Sequence, residues 1–125
     1  MTEEERIELG WKIGWVYFVQ VGSGGHIKIG WAKDPTKRIA SLQTAQPQQL
    51  KLLGVIPGSL KAEREVHALF SQARVRGEWF RRSDVIEDVQ RLIMEKGFRV
   101  IEARRSRNNP EQKSDSRFNI VIPNS

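Results

Sequence analysis

The sequence predicts a mixed α/β (α+β) domain, and three observations predict it. Two runs rich in β-branched and aromatic residues, 15–21 and 26–30, flank the cluster Gly22-Ser23-Gly24-Gly25. Asp34-Pro35 follows directly, a capping side chain and then a proline, as at the start of a helix. A third apolar run, 50–56, ends at Pro57-Gly58, and Ser59 then opens a second helical pattern. Short apolar runs around a glycine cluster read as a β-hairpin, so strands and helices alternate along the chain.

Each element has a local reason. In 26–30, Ile27 and Ile29 alternate with His26, Lys28 and Gly30, which makes one face apolar and places Lys28 on the other, where it is expected to be accessible. The helix opened by Asp34 runs to about residue 45. Ile39 and Leu42 mark its buried stripe, with Arg38 at the edge of that stripe because it is four residues from Leu42. The helix opened by Ser59 extends over 59–73, with Ala62, Val66, Leu69, Phe70 and Ala73 as its apolar stripe. Glu63 and His67 lie one turn apart on one shoulder, and Glu65 lies on the other. Ser83 or Asp84 opens a third helix that Gly97 stops after Lys96. Residues 98–103 read as a strand, 104–116 as a polar loop and 118–123 as a short strand. The expected organisation is an N-terminal segment 1–14, a domain 15–97, and a C-terminal strand with a polar tail 98–125.

Composition narrows the function classes. A chain of 125 residues has room for one core, and 38% hydrophobic residues suffice to fill it. There is no cysteine, so disulfides, thiolate zinc sites and thiol catalysis are not expected. No run approaches the roughly 18 apolar residues of a membrane span, and Glu3-Glu4-Glu5 makes the N-terminus acidic where a signal peptide is basic. A cytoplasmic protein without a membrane partner is therefore expected. The net charge of +6 is concentrated: 26–82 carries eleven bases against four acids, and 104–125 five against two. A basic middle and tail suit a polyanion, with a solvated basic face as the plainer alternative.

Five elements stand in order along the chain: Val16-Tyr17-Phe18, Ile27-Lys28-Ile29-Gly30, Asp34-Pro35-Thr36-Lys37-Arg38, Glu63 to His67, and Gly77-Glu78-Trp79-Phe80. This set resembles the GIY-YIG nuclease superfamily, most closely its phage-type and meiotically up-regulated-gene-type branch, over about residues 15–82. The resemblance implies a small domain with a three-stranded antiparallel sheet flanked by helices, followed here by a C-terminal helix-strand extension. It also implies cleavage of nucleic-acid phosphodiesters with one divalent metal ion, Mg2+ or Mn2+. Carried over by position, Tyr17 helps activate or orient the attacking water, and Lys28 stands where a second tyrosine would be. Arg38 stabilises the scissile phosphate and Glu63 holds the metal. His67, one turn beyond Glu63, is a candidate ligand or proton shuttle, or a structural histidine.

The chemistry is coherent with these residue types. Phosphodiester hydrolysis builds negative charge on phosphoryl and leaving oxygens, which a guanidinium and a divalent cation oppose. Magnesium keeps several waters, so one glutamate can hold it. A lysine whose charge is disfavoured by burial or by another cation can pass a proton. Lys33, Lys37, Arg74, Arg76, Arg81 and Arg82 join Arg38 as expected phosphate contacts. Outside the resemblance, Tyr17 reads as a core aromatic and Arg38 as a solvated surface residue, while Trp79 and Phe80 read as core anchors. Glu78 reads as the ion-pair partner of Arg38 or another base, or as a second carboxylate near the metal. Of Trp11, Trp15 and Trp31, at least two are expected to pack, leaving one that could stack on an unpaired base.

The expected function is thus a metal-dependent DNA endonuclease, with RNA or branched DNA as further substrates. Lys28 in place of tyrosine, and Val75 where relatives carry an asparagine, keep two other readings open. One is a catalytically inactive nucleic-acid-binding module of the same fold. The other is a protein-interaction domain of a phage or mobile-element system.

Overall fold

The computed structural model describes residues 1–100 and the backbone of 112–115 and 120–123. Helix α1 (Glu3–Ile13) is followed by strands β1 (Trp15–Val21) and β2 (Ile27–Ala32), helix α2 (Pro35–Gln43), strand β3 (Leu50–Pro57) and helix α3 (Leu60–Leu69). After a 3-10 turn (Ser71–Ala73) come β4 (Arg74–Arg76), β5 (Trp79–Phe80), α4 (Arg82–Lys96), β6 (Phe98–Val100), β7 (Gln112–Asp115) and β8 (Ile120–Pro123). The expected α/β (α+β) class holds. The strands form one antiparallel sheet in the order β4-β5-β2-β1-β3-β6-β8-β7. The three expected strands are its middle, extended by two strands on one side and three on the other.

Strand β1 is central, and its sequence says why. Trp15 to Gln20 are all buried, because helices cover both faces of the sheet and leave neither side of the strand for polar residues. Val16 and Phe18 face Val66 of α3, Phe70 just past its end, and Val85, Val89 and Ile93 of α4. Trp15, Tyr17 and Val19 face Ile7 and Trp11 of α1 and Ile39 and Leu42 of α2. Gln20, the buried polar residue of β1, is satisfied: its Oε1 accepts from Arg82 Nε at 2.7 Å and its Nε2 donates to the Gly22 carbonyl at 3.0 Å.

Several boundaries differ from those read in the sequence. The N-terminal segment contains α1, opened by a reciprocal cap between Thr2 and Glu5, the T-x-x-E signature of a helix start. Helix α3 ends at Leu69 rather than at 73, so Leu69 leaves the apolar stripe and is exposed. Helix α4 starts at Arg82, with no side-chain cap. Within the stretch expected to be a loop, Gln112–Asp115 is a strand that pairs with Ile120–Pro123; residues 101–111 and 116–119 lie outside the described residues. Residues 74–80 form a hairpin. Its two-residue turn, Gly77-Glu78, has positive φ at Gly77 (55°), the pattern of a type II′ turn, and a bulge at Val75 shifts the register.

Candidate functional site

The candidate site lies where strand β5 stops short. β5 pairs with β2 only through Ile27↔Phe80 and Lys28↔Trp79, with one further bond from the Ile29 amide to the Glu78 carbonyl at 3.0 Å. Beyond that point α3 takes over the edge of β2: His67 Nε2 donates to the Ile29 carbonyl at 2.8 Å. The residues converging on this edge come from five elements: Tyr17 from β1, Lys28 and Gly30 from β2, Arg38 from α2, Glu63 from α3, and Glu78 from the hairpin tip.

Tyr17 and Lys28 share one face of the sheet, since Tyr17 is opposite Gly30 and Lys28 opposite Val19. The Tyr17 ring crosses Gly30, where any Cβ would overlap its hydroxyl and Cζ. The absent side chain is what lets the hydroxyl reach the edge. Burial raises the Tyr17 pKa above the ordinary phenol value; a hydrogen bond from Arg38 opposes this, and the charges of Glu78 and Glu63 add to it. The charged phenolate form is therefore disfavoured in the fold, and the protonated hydroxyl is the form that meets the edge.

Lys28 was expected to be accessible, and it is not: its side chain is 13% exposed. Its Nζ donates to Glu78 Oε1 at 2.8 Å and lies 5.5 Å from the centre of the Trp79 ring. Glu78 is thus an ion-pair partner, of Lys28 rather than of Arg38. Glu63, one turn before His67, is half-buried. Burial raises its pKa and the nearby Glu78 charge raises it further, against the lowering influence of His67, Lys28 and Arg64. Glu65, on the other shoulder of α3, is exposed, so Glu63 is the glutamate aimed at the site.

His67 has both ring nitrogens committed. A backbone carbonyl only accepts and a guanidinium only donates, so Nε2 carries the proton toward Ile29 while Nδ1 accepts from Arg74 Nη2 at 3.1 Å. Its ring meets Phe80 edge-on at 5.1 Å. This makes His67 a residue that fixes the edge of β2 and holds Arg74, and neither nitrogen is left for a metal or a proton in transit.

The other basic residues divide. Arg38, Lys37 and Arg76 are exposed. Arg74 is tied to His67, and its guanidinium lies 5.6 Å from the Phe80 ring centre. Lys33 Nζ donates to the Lys12 carbonyl at 2.7 Å. Arg81 is held by Asp84 and the Gln72 carbonyl, both at 2.7 Å, and Arg82 by Gln20. Among the tryptophans, Trp15 is fully buried, Trp11 packs edge-on against it at 5.8 Å, and Trp31 donates to the Gly58 carbonyl at 2.8 Å. Phe80 is a core residue, but Trp79 is not: it is half-buried beside the site. The expectation that both Trp79 and Phe80 are core anchors thus holds for Phe80 alone, because consecutive strand residues point to opposite faces of the sheet.

The arrangement defines a small α/β/α domain with an antiparallel sheet and a compact set of charged groups at one sheet edge. The family model of the T5orf172 domain matches residues 14–95, and the chain belongs to that family. This overturns the assignment suggested by the five ordered motifs: T5orf172 is a family distinct from the GIY-YIG superfamily, for which no family model matches. It is a phage-associated domain of nuclease-like proteins, compatible with a nuclease or nucleic-acid-binding role and with nucleic acid as partner. No curated protein and no solved structure matches the chain. Among the described residues no helix is long and apolar enough to cross a membrane.

Proposed function

We propose that the domain is a DNA endonuclease that hydrolyses phosphodiester bonds with the help of one divalent metal ion. The observation that carries this reading is the convergence of Tyr17, Lys28, Arg38 and Glu63 on one open sheet edge, with Glu78 holding Lys28 in place.

Whether a metal fits is a question for the carboxylates. Glu63 sits in a partly buried place near a second negative charge, and both effects disfavour its ionised form. A bound cation would reverse that balance. Among the described residues no three ligand side chains cluster, so the donor set suits an ion that keeps most of its waters, as Mg2+ does. Glu63 would hold it, and the ion would supply Lewis-acid stabilisation of the phosphoryl oxygens.

The remaining roles belong to the chain. Arg38 presents a guanidinium to the non-bridging oxygens, where charge grows as the bond breaks. Tyr17, protonated and aimed past Gly30, orients the attacking water or the phosphate. Lys28 donates toward the departing oxygen, and its pairing with Glu78 fixes the direction of its stem. His67 is a positioning residue. Lys37 and Arg76 hold the flanking backbone.

The test is cleavage of supercoiled, single-stranded and branched DNA with Mg2+ or Mn2+, comparing the native chain with Arg38→Ala and Glu63→Gln. Metal-dependent nicking lost in both variants supports the reading. Salt-sensitive binding without cutting on any substrate would replace it with a binding module, and neither binding nor cutting would favour a protein-interaction domain.

A further inference from the structure

A second concavity opens next to the site, between the β1–β2 turn, the loop before β3 and the β4–β5 hairpin. Its volume is about 650 Å³, within the roughly 300–1,000 Å³ of small-ligand pockets. Trp79, Val75, Arg76, His26, Gln46 and Gln48 contribute to its lining. We propose that this groove is a subsite for one unpaired nucleobase, adjacent to the scissile phosphate; the inference rests on the nucleic-acid reading above and deepens it.

The lining is chemically specific. Trp79 offers an aromatic ring and Val75 an exposed aliphatic surface, the partners of a base's π-face. Gln46 and Gln48 each carry a donor and an acceptor on one amide, as the edges of bases do. Arg76 is the charged group of known sign in the lining, and no carboxylate accompanies it. The other large concavity, between the end of α3 and α4, differs: its Arg81 and Arg91 are already paired with Asp84 and Asp88, Glu95 adds a further carboxylate, and no tryptophan lines it.

The groove is also held in shape. Gln43 Nε2 donates to the carbonyls of Gln46 (3.2 Å) and Gln48 (3.0 Å), and its Oε1 accepts from the Leu50 amide at 2.8 Å. The Gly22 amide donates to the Gln49 carbonyl at 2.7 Å, tying the hairpin turn to the same loop. A base entering the groove meets walls already ordered, so little further ordering opposes binding. Continuity with the catalytic edge comes from Trp79, whose ring carries the Lys28 ammonium. A base stacked there belongs to the nucleotide beside the phosphate that Lys28 addresses. In a duplex the π-faces are covered by neighbouring base pairs, so the groove selects single-stranded or extruded nucleotides.

The experiment is fluorescence-anisotropy titration of the full chain, without divalent metal, against a labelled oligothymidylate 12-mer, the same backbone without bases, and a duplex. The native chain is expected to bind oligothymidylate about tenfold more tightly than the abasic strand. Trp79→Ala should weaken oligothymidylate about tenfold and leave the abasic strand within about twofold, with Trp79→Phe retaining most of the affinity. The Gln46→Ala/Gln48→Ala double variant, altered only in loop side chains, should weaken oligothymidylate about threefold without affecting the abasic strand, and it decides the matter if Trp79→Ala does not fold. Equal weakening of both strands, or none, overturns the subsite. Native binding that ignores the bases overturns the subsite alone, whereas no binding to any strand or to duplex overturns the nucleic-acid reading with it.

Discussion

The Tyr17 ring lies across Gly30 of the neighbouring strand, so closely that a methyl group on Gly30 would overlap both the tyrosine hydroxyl and Cζ. The pairing Tyr17↔Gly30 in the β1–β2 register makes the two inseparable. Gly30→Ala should therefore cost about 1–3 kcal/mol of stability by overpacking, read as a lower urea midpoint with an unchanged slope. Tyr17→Phe should not rescue it, because the ring carbon is as obstructed as the oxygen. A neutral Gly30→Ala would mean that the ring is free to swing away, and would remove the tyrosine from the site.

Much of this relationship was legible in the sequence. The alternation of Ile27, Lys28, Ile29 and Gly30 placed Lys28 and Gly30 on one face, and Asp34-Pro35 placed Arg38 one turn into its helix. The four-residue spacing to His67 singled out Glu63. What the sequence withheld depends on contacts between distant segments. Lys28 is covered because a hairpin 50 residues later brings Glu78 and Trp79 over it, and no local pattern reports that. His67 is consumed by Ile29 and Arg74, a fate set by where β5 ends. The helix at 3–13 is different: its start is local, with Thr2 and Glu5 forming the reciprocal cap and Glu3, Glu4 and Glu5 in the first turn, where negative charge favours a helix N-terminus. The family assignment failed for another reason, since short ordered motifs are shared by related families and do not separate them.

Glu63 should make stability depend on pH in a definite direction. Its folded pKa is raised above the ordinary glutamate value, so between the two values the folded state holds more protons than the unfolded one, and stability falls as pH rises through that window. Glu63→Gln should then be more stable than the native chain at pH 7, with the advantage vanishing below about pH 4, where glutamate is protonated in either state. Millimolar Mg2+ should raise the melting temperature of the native chain and not of Glu63→Gln. Thermal melts at several pH values, with and without metal, check both; identical melts at pH 7 would remove Glu63 as the metal-holding group.

The Lys28–Glu78 pair predicts a non-additive cycle. Lys28→Met should reduce cleavage by about 10²-fold or more and also lower stability, because it leaves Glu78 without its cation beside Glu63. Adding Glu78→Gln should restore the lost stability but not the activity. Single- and double-variant measurements of urea unfolding and of nicking rate separate the two contributions. Activity returning with the double variant would show that Lys28 serves only to neutralise Glu78.

The division among the basic residues predicts which of them touch the nucleic acid. Each phosphate contact contributes about one unit to the slope of log affinity against log salt. Lys37 and Arg76 are exposed, so Lys37→Ala and Arg76→Ala should each weaken binding and reduce that slope by about one on a duplex. Arg81 is already engaged by Asp84 and the Gln72 carbonyl, and binding a phosphate would require breaking both contacts. Arg81→Ala should leave the slope unchanged. Arg82→Ala should act through stability instead, by about 1–3 kcal/mol, because it leaves the buried Gln20 Oε1 without its donor. Titrations from 50 to 200 mM salt distinguish these cases. A slope that falls as much for Arg81→Ala as for Arg76→Ala would move the nucleic-acid path to the α3–α4 side of the molecule and away from the edge where Arg38 and Glu63 meet.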